Sequence, residues 1–200
     1  MKIHLLLFCF CCLCCFSIEA QALLGLSQHN LSLAYFGETF THSGFSLTHN
    51  KYLKTWDKKK VTRRGKEKAK TIVLNWSSRY AFYHHKRNHS GNILSTGADL
   101  GLYRAKGSYL EFGLFLGSNL NFLNEDTYRV NGNGAVEKIN NANNLTFVYG
   151  LRTSVGKYIR YQETDHPIAL FLGSNIFFST PFGTNTLLQS AIEAGVKYHL

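Results

Sequence analysis

The sequence lacks several features that would define other protein classes. All five cysteines lie between Cys9 and Cys15, so the chain from residue 16 onward has none, and proline occurs only twice. A disulfide framework, a zinc–thiolate centre and a catalytic thiol are therefore excluded for that part. No apolar run reaches the ~20 residues of a transmembrane helix, and after residue 20 no long stretch has helical apolar spacing. These absences favour an all-β chain.

The first twenty residues differ in composition from the rest. Lys2 is followed by an apolar run, residues 5–16, and then by Ser17-Ile-Glu-Ala20. This order of a basic start, an apolar stretch and a small-residue end is typical of a secretory signal peptide. We expect cleavage after Ala20, which would remove all five cysteines. The predicted organisation is a signal peptide at 1–20 and one domain at 21–200.

The positive charge is concentrated in one segment. The chain has a formal net charge of +10, and residues 51–70 contain ten Lys or Arg against two acids, leaving +2 elsewhere. A local basic segment in an exported chain does not indicate nucleic-acid binding. The basic loop predicted at 54–70 could instead meet acidic lipid headgroups or an acidic partner; the simpler alternative is a solvated hairpin.

Residues beyond the signal peptide alternate with a period of two. In the fifth predicted strand, Leu110, Phe112 and Leu114 fall on one face, and Glu111 and Gly113 on the other. Successive strand residues point to opposite faces, so each strand has one apolar and one small or polar face. Eight strands are predicted near 30–37, 43–53, 70–83, 92–104, 108–122, 144–157, 168–178 and 186–200.

The orientation of the two faces separates two kinds of barrel. A soluble lipocalin-like barrel turns its apolar face inward. Here the other face carries charges of both signs and many glycines, which suit the narrow interior of a small barrel. Lipid tolerates a continuous Leu, Ile and Phe exterior. We therefore predict a closed antiparallel transmembrane β-barrel of about eight strands, and keep a soluble barrel or sandwich as the alternative.

The last eight residues, Glu193-Ala-Gly-Val-Lys-Tyr-His-Leu200, carry a family resemblance. Glu193, Gly195, Tyr198 and Leu200 resemble the C-terminal assembly signal of bacterial outer-membrane β-barrel proteins, although many members end in Phe. The resemblance implies insertion by the barrel-assembly machinery of a Gram-negative envelope and residence in the outer membrane. With both termini periplasmic, the Arg104–Gly107 turn and the basic 54–70 loop would be periplasmic, and segments 84–91, 123–143 and 179–185 would face outward.

Six charged residues fall on the inward phase of their strands, and an unpaired charge in such an interior is costly. We expect the pairs Arg79–Asp99 and Glu111–Arg152 within a network that holds the barrel together; the alternative is a proton or ion path. Side chains fill the interior of an eight-stranded barrel, so no wide pore is expected. The predicted lumen charge network comprises Arg79, Asp99, Glu111, Arg152, Glu193 and Lys197.

A His-rich stretch at 83–92 is the most unusual segment of the sequence. Three histidines invite a metal hypothesis, but Lys86 and Arg87 would repel a cation, so no metal and no cofactor are predicted. The stretch weakly resembles outer-membrane lipid A deacylases, which use His and Ser two apart on one strand face. Here His89 and Ser90 are adjacent and would point in opposite directions. They remain the weak catalytic candidates.

The sequence favours a non-enzymatic outer-membrane barrel with a structural or surface-interaction role. Its expected partners are outer-membrane lipid, lipopolysaccharide and the assembly machinery, and the Asn- and Gly-rich loop at 123–143 is the expected contact surface. The alternative is a lipid-modifying hydrolase of the lipid A deacylase kind. A third class, a barrel that binds a small ligand, requires an unfilled lumen.

Overall fold

The computed structural model describes residues 28–38, 42–61, 67–85, 89–123, 127–130, 132–139, 144–159, 167–182 and 185–200. The predicted signal peptide at 1–20 lies outside these ranges. Within them, no helix is long and apolar enough to cross a membrane. The strands, in chain order, are β1 (His29–Glu38), β2 (His42–Val61), β3 (Glu67–His85), β4 (His89–Arg104), β5 (Ser108–Leu123), β6 (Thr127–Val130), β7 (Val136–Ile139), β8 (Asn144–Ile159), β9 (Ile168–Phe182) and β10 (Asn185–His199).

Eight of these strands close into one antiparallel ring in the order β1-β10-β9-β8-β5-β4-β3-β2. Closure comes from the pairing of β1 with β10, in which Asn30 lies opposite His199 and Gly37 opposite Ile192. A closed ring has no unpaired strand edge. A sheet in lipid requires this closure, because no water is available there to hydrogen-bond with an exposed backbone. Every ring strand has at least the roughly 9–11 residues needed to cross a bilayer.

Apolar side chains lie on the outer face of the ring and charged side chains on its inner face, as predicted. Leu94, Leu114 and Leu172 on the outer face are about 60% exposed (62, 60 and 60%), whereas Arg79 and Glu193 on the inner face are 5 and 3% exposed. Burial alternates residue by residue along β4, β5 and β8. The prediction of a closed eight-stranded transmembrane barrel is confirmed, and a soluble barrel with an apolar interior is excluded.

The barrel has two rims. We call the lower rim the one where β1 begins and β10 ends; it also carries the tight turn between β4 and β5, where Gly107 has a φ of 80° and donates its N–H to the Arg104 carbonyl at 2.9 Å. The upper rim lies at the opposite end and includes the ends of β3 and β5 and the start of β8.

Two predicted connections are partly strand. The predicted loop at 123–143 contains a separate two-stranded sheet, β6 paired with β7, which alternation could not reveal in strands of four residues. The predicted basic loop at 54–70 is largely a continuation of the barrel wall, because β2 runs to Val61 and β3 starts at Glu67. The lysine-rich parts of β2 and β3 lack apolar alternation, so the strands predicted from sequence periodicity were too short at this end.

A β-bulge between Tyr52 and Lys54 reverses the facing of β2. Before the bulge, Asn50 and Tyr52 are buried in the lumen; beyond it, Lys54 and Trp56 pair with the outward positions Leu74 and Ile72. One extra residue shifts the alternation by one, so the following side chains exchange faces. The lower half of β2 therefore presents Lys54, Trp56 and Lys58 on the outside.

Candidate functional site

The candidate site is the lumen, where the structure brings together all six charged residues named from the sequence. Five of them are buried, and the Arg152 side chain is 12% exposed. Three ion pairs form: Arg79 with Glu193, Arg152 with Asp99, and Lys197 with Glu111. The Lys197 ammonium donates to both carboxylate oxygens of Glu111 at 2.7 Å. We call this group the ionic layer.

The predicted pairing within the ionic layer is wrong. Arg79 is registered opposite Ser95, so Asp99 lies four residues further along β4, roughly 13 Å away. Arg79 instead reaches across the lumen to Glu193 on β10. The prediction paired charges on neighbouring strands only. It considered neither the register of those strands nor the narrowness of the lumen, which a side chain can cross.

The ion pair between Arg152 and Asp99 depends on the absence of a side chain at Gly113. Asp99 lies opposite Gly113, and Gly113 lies opposite Arg152, so the three occupy one row across β4, β5 and β8. A Cβ added at Gly113 would lie 1.7 Å from the Asp99 Oδ1 atom. The glycine thus leaves the space through which Arg152 and Asp99 bond, in place of the predicted Glu111–Arg152 pair.

Neutral side chains complete the ionic layer. Ser46 donates to Glu193 at 2.8 Å, and the Arg79 guanidinium donates to Asn175 at 2.8 Å. Ser154 and Tyr103 donate to Glu111 at 2.9 and 2.6 Å. Buried ion pairs recover their desolvation cost only when additional hydrogen bonds satisfy the remaining lone pairs. The arrangement fixes the charges in place.

Two apolar and aromatic clusters enclose the ionic layer along the barrel axis. The lower cluster comprises Ala34, Tyr52, Val73, Tyr103, Tyr109, Tyr158, Ala169 and Phe171. The upper cluster comprises Phe36, Ala81, Tyr83, Ile93, Val148, Phe177 and Ala191. The Lys197 ammonium lies 4.5 Å from the Tyr109 ring centroid, and the Arg79 guanidinium carbon lies 5.0 Å from that of Phe36. The charges therefore have an aromatic boundary on either side.

Among the described residues, the cavities beside the ionic layer are small. A cavity beside Glu111, Arg152 and Lys197 has a volume of about 20 Å³, and another beside Arg79 about 10 Å³. A single water molecule needs roughly 10–15 Å³ of such volume. Each cavity can hold a water molecule, but neither has room for an organic ligand or for the passage of hydrated ions.

The His-rich segment lies at the upper rim, where His89 and Ser90 have different neighbours. Ser90 is registered opposite His84 on the exposed face, where His84 Nδ1 and Ser90 Oγ are 2.9 Å apart. His89 instead stacks on His85 and approaches Tyr83. The candidate pair is thus His84 with Ser90. Among the described residues, no carboxylate is hydrogen-bonded to His84, and no group of three His, Cys, Asp or Glu is placed to hold a metal ion.

The four residues of the predicted assembly signal divide between the two faces of β10. Glu193 belongs to the ionic layer, and a Cβ added at Gly195 would lie 2.3 Å from the Leu33 carbonyl oxygen of β1. Tyr198 and Leu200 are exposed on the outer face, and the Leu200 N–H donates to the His29 carbonyl at 3.1 Å. The same residues therefore line the closing seam of the ring.

The outer wall carries an apolar depression of about 550 Å³ that spans β3, β4, β5, β8 and β9. Its lining includes Trp76, Leu114 and Phe178. It belongs to the apolar outer belt, where hydrocarbon contact explains its composition.

Sequence reasoning missed the lower cluster and His199. Tyr158 and Tyr52 approach the His199 Nε2 atom at 2.6 and 3.4 Å, and His199 is fully buried. A signal was present, because Tyr103, Tyr109 and Tyr158 lie near strand ends in the inward phase. Alternation assigns each residue to a face but does not show which inward side chains meet, so these residues were not grouped.

Comparisons with known proteins give limited similarity. No family model matches the sequence, and no curated protein matches it. Among solved structures, the chain is similar to that of the outer membrane enzyme PagL, with 11% identity, coverage of 84% of this chain and 97% of that one, and a TM-score of 0.35. It is also similar to the beta domain of the Bordetella autotransporter Brka, with 11% identity, coverage of 86% and 98%, and a TM-score of 0.28.

Proposed function

We propose that this chain is an integral outer-membrane barrel with a structural or surface-interaction role and no wide pore. The observation that carries the proposal is the ionic layer, enclosed by two clusters inside an apolar exterior. A hydrocarbon-facing exterior requires a membrane, and a lumen filled by paired charges and rings leaves no wide water path.

The location in the outer membrane is supported by the N-terminal segment and the final octet. Residues 1–20 have the composition of a cleaved export signal, and the octet resembles the signal read by the barrel-assembly machinery. Closed barrels of antiparallel strands are the architecture of that membrane.

The surface-interaction role is supported by the β6–β7 hairpin. It pairs with itself outside the ring, and Tyr128, Val130 and Val136 are 58, 67 and 64% exposed. Apolar side chains exposed together on a segment outside the barrel wall are typical of a contact surface. The partner would meet the upper rim.

Fractionation combined with a heat-modifiability gel tests membrane residence. We expect the protein in the outer-membrane fraction, with a folded band that shifts only on boiling. Channel measurements in planar bilayers test the closed lumen, and no porin-sized conductance steps are expected. Recovery in the soluble fraction, or regular conductance steps, would contradict the proposal.

Single cysteines test the orientation, because the chain beyond residue 20 has no cysteine of its own. Val136→Cys on the hairpin should react with a membrane-impermeant maleimide on intact cells. Ala105→Cys in the lower turn should react only after the outer membrane is permeabilised. The opposite pattern would place the lower rim outside.

A second candidate function, hydrolysis of a lipid ester, is favoured by the His84–Ser90 hydrogen bond. A histidine bonded to a serine hydroxyl can act as general base for that nucleophile. Ser90→Ala should then abolish acyl release from lipid A or phospholipid vesicles, measured by mass spectrometry, whereas Ser118→Ala on the outer face of β5 should not. No acyl release by the unaltered protein would end this candidate.

A further inference from the structure

The lower end of β2, β3 and β4 carries a row of directly opposed cations. Lys58 is registered opposite Lys70, and Lys70 opposite Arg104. All three side chains are exposed and occupy the outward phase beyond the β2 bulge. We call these three residues the cationic row. The backbone register continues the pattern by placing Lys60 opposite Lys68.

Like charges directly opposite one another destabilise a sheet unless something neutralises them. None of the ion pairs formed among the described residues involves Lys58, Lys70 or Arg104. The nearby carboxylate of Asp57 lies in the inward phase, where it accepts a hydrogen bond from Thr71 at 2.8 Å. The cationic row therefore calls for an external anion.

The surface next to the row indicates which anion. The adjoining outward row consists of Trp56, Ile72 and Leu102, and the next of Lys54, Leu74 and Leu100. Outward rows are two residues apart, roughly 7 Å. On β3 and β4 the outer wall thus changes from apolar to cationic within one step, and on β2 the Lys54 ammonium lies 5.3 Å from the Trp56 ring centroid. Aromatic and basic side chains in this order mark the depth at which a bilayer's hydrocarbon meets its headgroups.

We propose that the cationic row binds the phosphate of an anionic phospholipid in the leaflet at the lower rim. The inference rests on the proposed membrane residence of the barrel. The row is continuous with the lipid-facing wall, so the lipid phosphate meets it without leaving the bilayer, whereas a soluble polyanion would have to approach past the headgroups. The three cations, on strands roughly 5 Å apart, can share the two charged oxygens of a phosphodiester.

Spin-labelled lipids test the proposal on the full-length mature protein in phosphatidylcholine vesicles. The ratio of association with labelled phosphatidylglycerol to that with labelled phosphatidylcholine is measured by electron spin resonance. Lys58→Gln/Lys70→Gln should lower this ratio by at least about fivefold, because ~1 kcal/mol for a single basic residue near an anionic surface already corresponds to that factor and the variant removes two.

The matched control is Lys51→Gln/Lys106→Gln, which removes the same charge from the lower rim outside the row. This control should change the ratio by less than about twofold. Equal effects of the two variants, or no preference in the unaltered protein, would overturn the site. Membrane insertion is measured separately by the heat-modifiability gel, on protein in vesicles of phosphatidylcholine alone. Failure of the barrel proposal is therefore distinguishable from failure of the lipid site.

Discussion

The guanidinium of Arg79 has its main partners on strands far from it in sequence, Glu193 on β10 and Asn175 on β9. The period of two was sufficient to assign Arg79 to the inner face, because facing depends only on alternation along its own strand. Its partner could not be predicted, because that choice depends on the register of three further strand pairs.

Removing Arg79 alone should leave Glu193 buried without its cation. We expect Arg79→Met to destabilise the folded barrel by about 3–5 kcal/mol, as for other broken buried pairs. Urea unfolding in vesicles, followed by the gel-mobility shift, measures this loss. The double variant Arg79→Met/Glu193→Leu should recover most of it, since no unpaired charge remains; a double variant as unstable as the single one would contradict the explanation.

Gly113 is a second position where one residue determines a pair. The Cβ of Gly113→Ala would displace the Asp99 carboxylate that Arg152 holds and would lie 3.0 Å from the Ala98 carbonyl oxygen. We expect a loss of about 1–3 kcal/mol, the usual cost of overpacking. Gly132→Ala, where a Cβ would meet nothing within 4 Å, is the control and should be silent in the same unfolding assay.

At the scale of the strands, alternation predicted the barrel wall well and its extensions poorly. β4 and β5 have mostly apolar outer faces in their central parts, and their predicted bounds are within a few residues of the observed ones. The lower parts of β2 and β3 were missed because a run of lysines replaces the apolar alternation of the sequence there. The bulge at Tyr52 also inverts the pattern, and a single extra residue leaves no compositional mark.

A cation placed in the middle of the outer wall should be costly if that wall meets hydrocarbon. Leu114 lies near the centre of β5 and is 60% exposed. Leu114→Lys should destabilise the protein by about 2–4 kcal/mol in vesicles. Val136→Lys, equally exposed but on the β6–β7 hairpin, should have little effect. A tolerated Leu114→Lys would show that water, not lipid, surrounds the ring.

The β6–β7 hairpin should be dispensable for folding. It hydrogen-bonds as a sheet of its own, whereas β5 and β8 pair directly, with Asn121 opposite Asn144. Replacing residues 124–143 with a short Gly-Ser turn should therefore keep the heat-dependent gel shift and the urea midpoint. Loss of the folded band would show that the hairpin is needed to build the ring.

For the whole molecule, the sequence predicted the closed ring and its inside-out character but not its activity. Strand number and facing follow from local alternation, and closure follows because an open sheet edge is intolerable in lipid. The enclosure of the ionic layer could not be foreseen, because it depends on rings from several strands meeting in space. The His84–Ser90 pair likewise depends on the register of β3 against β4.

The chain has two tryptophans, and both lie on the outer wall of the same side of the ring. Trp76 lines the apolar depression, while Trp56 adjoins the cationic row. The fluorescence of the two tryptophans can therefore report how deeply the protein lies in the bilayer. In the single-tryptophan variants Trp56→Phe and Trp76→Phe, lipids brominated near the chain ends should quench Trp76 emission more than Trp56 emission, and lipids brominated near the glycerol should do the reverse, so that immersion can be measured without attaching any dye.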